Sequence, residues 1–144
     1  MGKNNLNFDG RIFAIIYKYS RILMNMGIFF YGKEGQAMPV SIEMTGEVLT
    51  CRLSGELDHH AAMPIRQEID KAIEEERPTL VILDFGDLSF MDSSGIGLVM
   101  GRSNTTKAVG AQLHVCNLSN QIYKVMKLSG IDRIAVVEKG SDLK

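Results

Sequence analysis

The sequence predicts an α/β fold, a mixed sheet opened by a hairpin and covered by helices in a single domain. Two patterns carry that prediction. Strand-like apolar runs take turns with apolar residues at helical spacing, and two strand-like stretches around a short polar turn precede them. Length is the third observation: 144 residues make one domain's worth of chain, enough for a core without disulfide or metal staples.

Val40 to Met44 and Val48 to Leu53 flank Thr45-Gly46-Glu47, so they are expected to pair as an antiparallel hairpin whose second strand ends at Ser54-Gly55-Glu56-Leu57-Asp58. Helical spacing then sets Ala62, Ile65, Ile69, Ala72 and Ile73 on one face, with Arg66, Glu68, Lys71 and Glu74 to Glu76 on the other. Pro64 is acceptable only near the first turn, which predicts a helix starting near His60 or Ala61 with Asp58 and His59 at its mouth. Pro78 stops it. Thr79 to Asp84 reads as a buried strand, and Leu88 to Met91 leads the chain back toward the core. A helix from Ser93 to about Ala108 should end by Gly110, followed by a strand Gln112 to Cys116, a helix from Ser119 to Leu128 and a last strand around Arg133 to Val137.

The run Asp92-Ser93-Ser94-Gly95-Ile96-Gly97 joins a strand pattern to a helix pattern. Ser93 or Ser94 is placed near the N-cap, where a side-chain oxygen accepts from free amides and the helix dipole favours negative charge. A phosphate is physically tolerable there. Gly97 and Gly101, one turn apart, are expected on a face that lies close to other backbone. The plainest reading is a serine cap followed by glycines that allow a tight turn. A phosphate-cradling loop needs Gly-x-x-x-x-Gly-Lys-Ser/Thr, and no lysine follows these glycines at that spacing; a nucleophile elbow needs a glycine two residues before its serine, where Met91 and Asp92 stand.

A net charge of −1 gives no electrostatic case for nucleic acid. Cys51 and Cys116 lie in separate apolar runs and read as buried reduced thiols, with a disulfide between neighbouring strands left open. His59, His60 and His114 form no ligand set, so no metal and no cofactor are expected; His114 reads as an ordinary strand residue. Arg11, Lys18 and Arg21 interrupt the apolar residues of Ile12 to Tyr31, leaving no run of about 20 apolar residues to span a bilayer, and no compact signal-peptide core either. Lys33-Glu34-Gly35 back-translates to codons that accommodate AAGGAGG, a bacterial ribosome-binding sequence, shortly before Met38. Residues 1–37 are therefore expected to be a non-native leader or disordered extension, with the domain at 38–144; an amphipathic helix is the alternative.

The segments Gly55 to His59 and Asp92 to Gly95 both follow strands and precede helices, which puts them on the edge where such sheets recognise ligands. One carries carboxylates and histidines, the other hydroxyls and glycines. No Ser/His/Asp order, metal set or cofactor loop accompanies them, so an interaction surface fits better than an active site, and the protein is read as no enzyme.

Gly55-Glu56-Leu57-Asp58-His59-His60 and Leu88 to Arg102 resemble the STAS domain of anti-sigma factor antagonists, the sporulation anti-sigma-F antagonists foremost, and the similarity spans Val40 to Val137 in order. The resemblance implies a STAS-type fold and a cytoplasmic partner switch. Its unphosphorylated form binds an anti-sigma factor with serine kinase activity and releases the sigma factor; phosphorylation ends the interaction and a metal-dependent serine phosphatase resets it. By position Ser93 matches the phosphorylated serine, Asp58 matches a partner-binding residue, and His59, Asp92, Ser94 and Gly95 complete the implied surface. ATP belongs to the kinase, and neither direct nucleic-acid binding nor a membrane is implied. The alternative is a STAS-domain scaffold, or a general stress-response antagonist in another partner-switching pathway. The family has no counterpart to residues 1–37, and its members usually continue past the last strand into a C-terminal helix, which implies a partly uncovered sheet here.

Overall fold

The computed structural model describes residues 39–140. The readings of residues 1–37 and of the short C-terminus lie outside those residues.

β1 (Val40–Thr45) and β2 (Val48–Leu57) pair antiparallel with Val40 opposite Leu53 and Thr45 opposite Val48, so the hairpin turns on Gly46 and Glu47 alone. Gly46 takes the positive φ of 61° that a two-residue hairpin turn demands. α1 (His59–Glu76) buries Ala62, Ile65, Ile69, Ala72 and Ile73, the five residues that the helical spacing selects. β3 (Leu80–Met91), α2 (Ser93–Ala108), β4 (Gln112–Leu118), α3 (Asn120–Leu128), a 3-10 turn at Ile131–Arg133 and β5 (Val136–Lys139) complete the order.

The five strands lie in the sequence order β1-β2-β3-β4-β5, with β2 through β5 parallel. This is the mixed sheet opened by a hairpin that the sequence predicts. Each parallel strand is added on the same side of the one before it, so right-handed crossovers bring the connecting helices to one face. On that face Ile42, Leu49, Cys51, Leu53, Val81, Leu83, Phe85 and Val115 are buried in a single core with the apolar sides of α1 and α2, and Met126 and Ile131 join it. Burying one such side chain contributes about 1.5–3 kcal/mol. On the opposite face Arg52 reaches Glu43 at 3.4 Å and Asp84 at 3.5 Å, and Ile82, His114 and Cys116 are half-buried.

Several boundaries differ from the sequence reading. β2 does not stop near Leu53. It bulges, with register shifts between Arg52 and Ser54 and between Gly55 and Glu56, and runs on to Leu57; Gly55 at φ 79° allows the second irregularity. Because β2 continues, β3 keeps a partner and is one strand of 12 residues rather than two segments. Arg133 sits in the 3-10 turn and the last strand begins at Val136. On α2, Met100 faces solvent while Gly95, Leu98, Val99, Arg102, Ser103 and Thr106 are buried. A side chain added at Gly97 or Gly101 would meet nothing within 4 Å, so no backbone of the described residues lies against that face.

Both cysteines are free. β3 separates them, with Leu83 opposite Cys51 and Asp84 opposite Cys116, so the open disulfide option is closed. Burial pushes the Cys51 thiol up to about 12. Burial, then the charges of Asp84 and Glu138, push Cys116 to about 11, with Arg52 opposing.

Candidate partner-binding surface

Two helix N-termini stand side by side because the strands that feed them are parallel neighbours ending in register. Leu57 pairs with Met91, and the Asp92 amide donates to the Leu57 carbonyl at 3.1 Å. The next residue on each chain segment is an aspartate. Asp58 caps α1, its Oδ1 accepting from the Ala61 amide at 2.8 Å, and Asp92 caps α2, its Oδ1 accepting from the Ser94 amide at 2.8 Å. Both aspartates are half-buried. Each cap satisfies an amide that the helix leaves free, and its charge lies at the positive end of the helix dipole.

The cap of α2 is thus Asp92, whereas the sequence places a serine there. A carboxylate in extended backbone directly before the helix takes the role first, which leaves the serines for the first turn. The Ser93 side chain is consequently not drawn into capping. Ser93 is exposed, Ser94 half-buried and Gly95 buried. A Cβ on Gly95 would collide with the Met91 side chain and lie 3.2 Å from Leu57 Cδ2, so the close approach expected at Gly97 and Gly101 occurs at Gly95 instead. The helix start is seated directly on the ends of β2 and β3.

All six residues singled out from the sequence, Asp58, His59, Asp92, Ser93, Ser94 and Gly95, fall on this one edge. His59 is exposed and its ring meets that of His60 edge-on, with centroids 5.8 Å apart. A cleft of about 200 Å³ between α1 and α2 opens beside them, lined by His59, Ala62, Met63, Arg66, Ser94, Gly97 and Leu98. The helical spacing sets Arg66 on the polar face and does not select Met63. Met63 is an apolar residue off the apolar face of α1 and is 53% exposed. The Ser89 hydroxyl, to which the sequence pattern gives no role, donates to the Gly55 carbonyl at 3.1 Å and ties the bulged part of β2 to β3.

Among the described residues no group of three or more His, Cys, Asp or Glu side chains could hold a metal ion, and no helix is long and apolar enough to cross a membrane. The chemistry on this edge is two half-buried carboxylates engaged as caps, an exposed hydroxyl, and an imidazole and a guanidinium beside the cleft.

The STAS domain model matches residues 39–142. The chain belongs to the STAS family. This STAS chain is 36% identical over 99 residues to the anti-sigma F factor antagonist of Paenibacillus polymyxa, covering 67% of this chain and 85% of that protein. It is 44% identical over 95 residues to the anti-sigma F factor antagonist of Lysinibacillus sphaericus, covering 65% and 81%. Among solved structures it is similar to the anti-sigma factor antagonist SpoIIAA in its unphosphorylated form, at 42% identity and a TM-score of 0.60 over 68% of this chain and 86% of that one. The phosphorylated form of SpoIIAA from Bacillus matches at 42% identity and a TM-score of 0.57, over 68% and 89%.

Proposed function

We propose that this STAS chain is an anti-sigma factor antagonist of the sporulation type. Unphosphorylated, it binds in the cytoplasm an anti-sigma factor that is also a serine kinase and so frees the sigma factor; phosphorylation of Ser93 switches it off and a serine phosphatase resets it. The observation that carries this reading is the position of Ser93. It is an exposed hydroxyl on the first residue of α2, released from capping by Asp92 and set beside the capped start of α1. The relatives named anti-sigma F factor antagonists, and the solving of SpoIIAA in both phosphorylated and unphosphorylated forms, support it.

The switch follows from elementary electrostatics. A phosphate adds about −1.5 to −2 charges at the contact, and taking such a charge out of water without a cationic partner costs several kcal/mol. Each ~1.4 kcal/mol is tenfold in affinity. The ATP is bound by the partner, so this chain needs no nucleotide loop of its own.

The test is incubation with the anti-sigma F factor of Lysinibacillus sphaericus and ATP, followed by intact mass and peptide mapping. One added phosphate on Ser93 is expected. Phosphate found chiefly on Ser94, or no phosphorylation, overturns the assignment.

A further inference from the structure

One charged pair between α1 and α2, a buried arginine on a half-buried aspartate, has no part in the mechanism above. On α2 the stripe facing α1 runs Ser94, Leu98, Arg102 at one residue per turn, and the opposing side of α1 runs His59, Ala62, Arg66, Asp70. Over the first two turns these residues line the open cleft. At the next turn the helices are joined: Arg102 Nε lies 2.7 Å from Asp70 Oδ1, with the arginine side chain 7% exposed and the aspartate 32%. The contact is a close ion pair between the two helices.

Stability alone is a poor reason for this pair. Arg102 Nη1 is buried with no hydrogen-bond partner among the described residues. Burial pushes the Arg102 pKa below the ordinary arginine value; Asp70 opposes that and the charge of Arg66 adds to it. Apolar side chains of similar volume commonly replace such a pair without loss of stability. The ion pair does supply a fixed meeting point, because a guanidinium this buried is costly to hold away from its carboxylate, so the two helices are held together at the height of Arg102 and Asp70. The meeting point lies about 13 Å along the axis from Ser93, at 1.5 Å per residue, so any change of helix crossing there displaces the N-termini.

We propose that Asp70 and Arg102 are positioning residues: they fix how α1 and α2 lie against each other, and thereby the placement of Asp58 relative to Ser93, while adding little to stability. The proposal rests on the reading of that surface as the anti-sigma contact. Its test is the double variant Asp70→Leu/Arg102→Met beside wild type, measured by melting, by calorimetry against the anti-sigma F factor of Lysinibacillus sphaericus, and by the amide resonances of Ala61 and Ser94, which the two caps hold. The expected result is a melting temperature within about 5 °C of wild type, a margin that corresponds to little change in domain stability, with affinity at least tenfold weaker and both amides shifted. A double variant that binds within twofold of wild type overturns the proposal, and so does one that fails to fold, since the pair is then structural. Should wild type itself not bind, the anti-sigma reading fails, and the amides alone decide for the pair: unshifted resonances overturn the positioning role and shifted ones support it.

Discussion

Asp58 can be a cap, a contact or both, and three variants at one position separate these roles. Asp58→Ala removes the 2.8 Å bond from the Ala61 amide. Loss of such a cap costs about 1 kcal/mol, which in a domain of this size lowers the melting temperature by about 4–8 °C. Asp58→Asn keeps an oxygen in the same place and removes only the charge, whose interaction with the helix dipole is worth about 0.3–1 kcal/mol. Melting should therefore fall little. Binding should behave otherwise. If the carboxylate meets a cationic group on the anti-sigma factor, neutralising it removes a charge-assisted contact worth about 1.5–3 kcal/mol, a loss of roughly 10- to 100-fold in affinity. Asp58→Glu, charged but one methylene too long for the cap, should melt lower than Asp58→Asn and yet bind better. Thermal melts and calorimetry at moderate salt measure all of this. Equal binding by wild type and Asp58→Asn would refute the contact and leave Asp58 as a cap alone.

Four further outcomes are expected. Ser93→Asp should weaken anti-sigma binding while Ser93→Ala binds and resists inactivation by ATP, and calorimetry showing the two equally tight would contradict the switch. Gly97→Ala should raise the melting temperature, because alanine gains ~1 kcal/mol over glycine in a helix and the added Cβ meets nothing within 4 Å; Gly95→Ala, whose Cβ strikes Met91 and approaches Leu57, should melt no higher than wild type. For the thiols, whose folded pKa values of about 12 and about 11 lie above the ordinary thiol value of 9.0, stability is fully present below pH 9. It should then fall by up to ~1.4 kcal/mol per pH unit per thiol as the unfolded chain alone ionises, a slope that shrinks in Cys51→Ala. A chain beginning at Met38 should melt and bind like the full chain, and reduced binding would show that residues 1–37 contribute.

The buried side of the fold was legible because burial follows periodicity. Ala62, Ile65, Ile69, Ala72 and Ile73 repeat at helical spacing and are the buried residues of α1. What periodicity could not carry was anything decided by a neighbouring strand. Ser54 to Glu56 and Gly86 to Ser89 lack strand character, yet they extend β2 and β3 because each offers the other a ladder and two register shifts absorb the mismatch. The six candidate residues do fall on one edge, but the cap among them is not the one the sequence suggests. Propensity ranks Asp and Ser alike as N-caps, so only backbone geometry decides between Asp92 and Ser93. Arg102 was hidden for a related reason: sequence alone treats an arginine as a surface residue, and its burial depends on Asp70, 32 positions earlier, lying within 2.7 Å.

The capping arrangement bears on how the proposed switch would act. If Ser93 were itself the cap, a phosphate on it would tear out a bond that holds α2, and modification would work by unfolding the helix start. With Asp92 in that role the Ser94 amide stays satisfied whatever happens to the Ser93 hydroxyl. The helix dipole favours a negative charge at the first turn by about 0.3–1 kcal/mol, while the Asp92 carboxylate one residue away opposes it by an amount that solvent screens at an exposed position. These small opposing terms leave the fold close to indifferent to the phosphate. The whole free energy of modification is then expressed where the charge meets a partner, so phosphorylated and unphosphorylated chains should melt alike and differ in affinity.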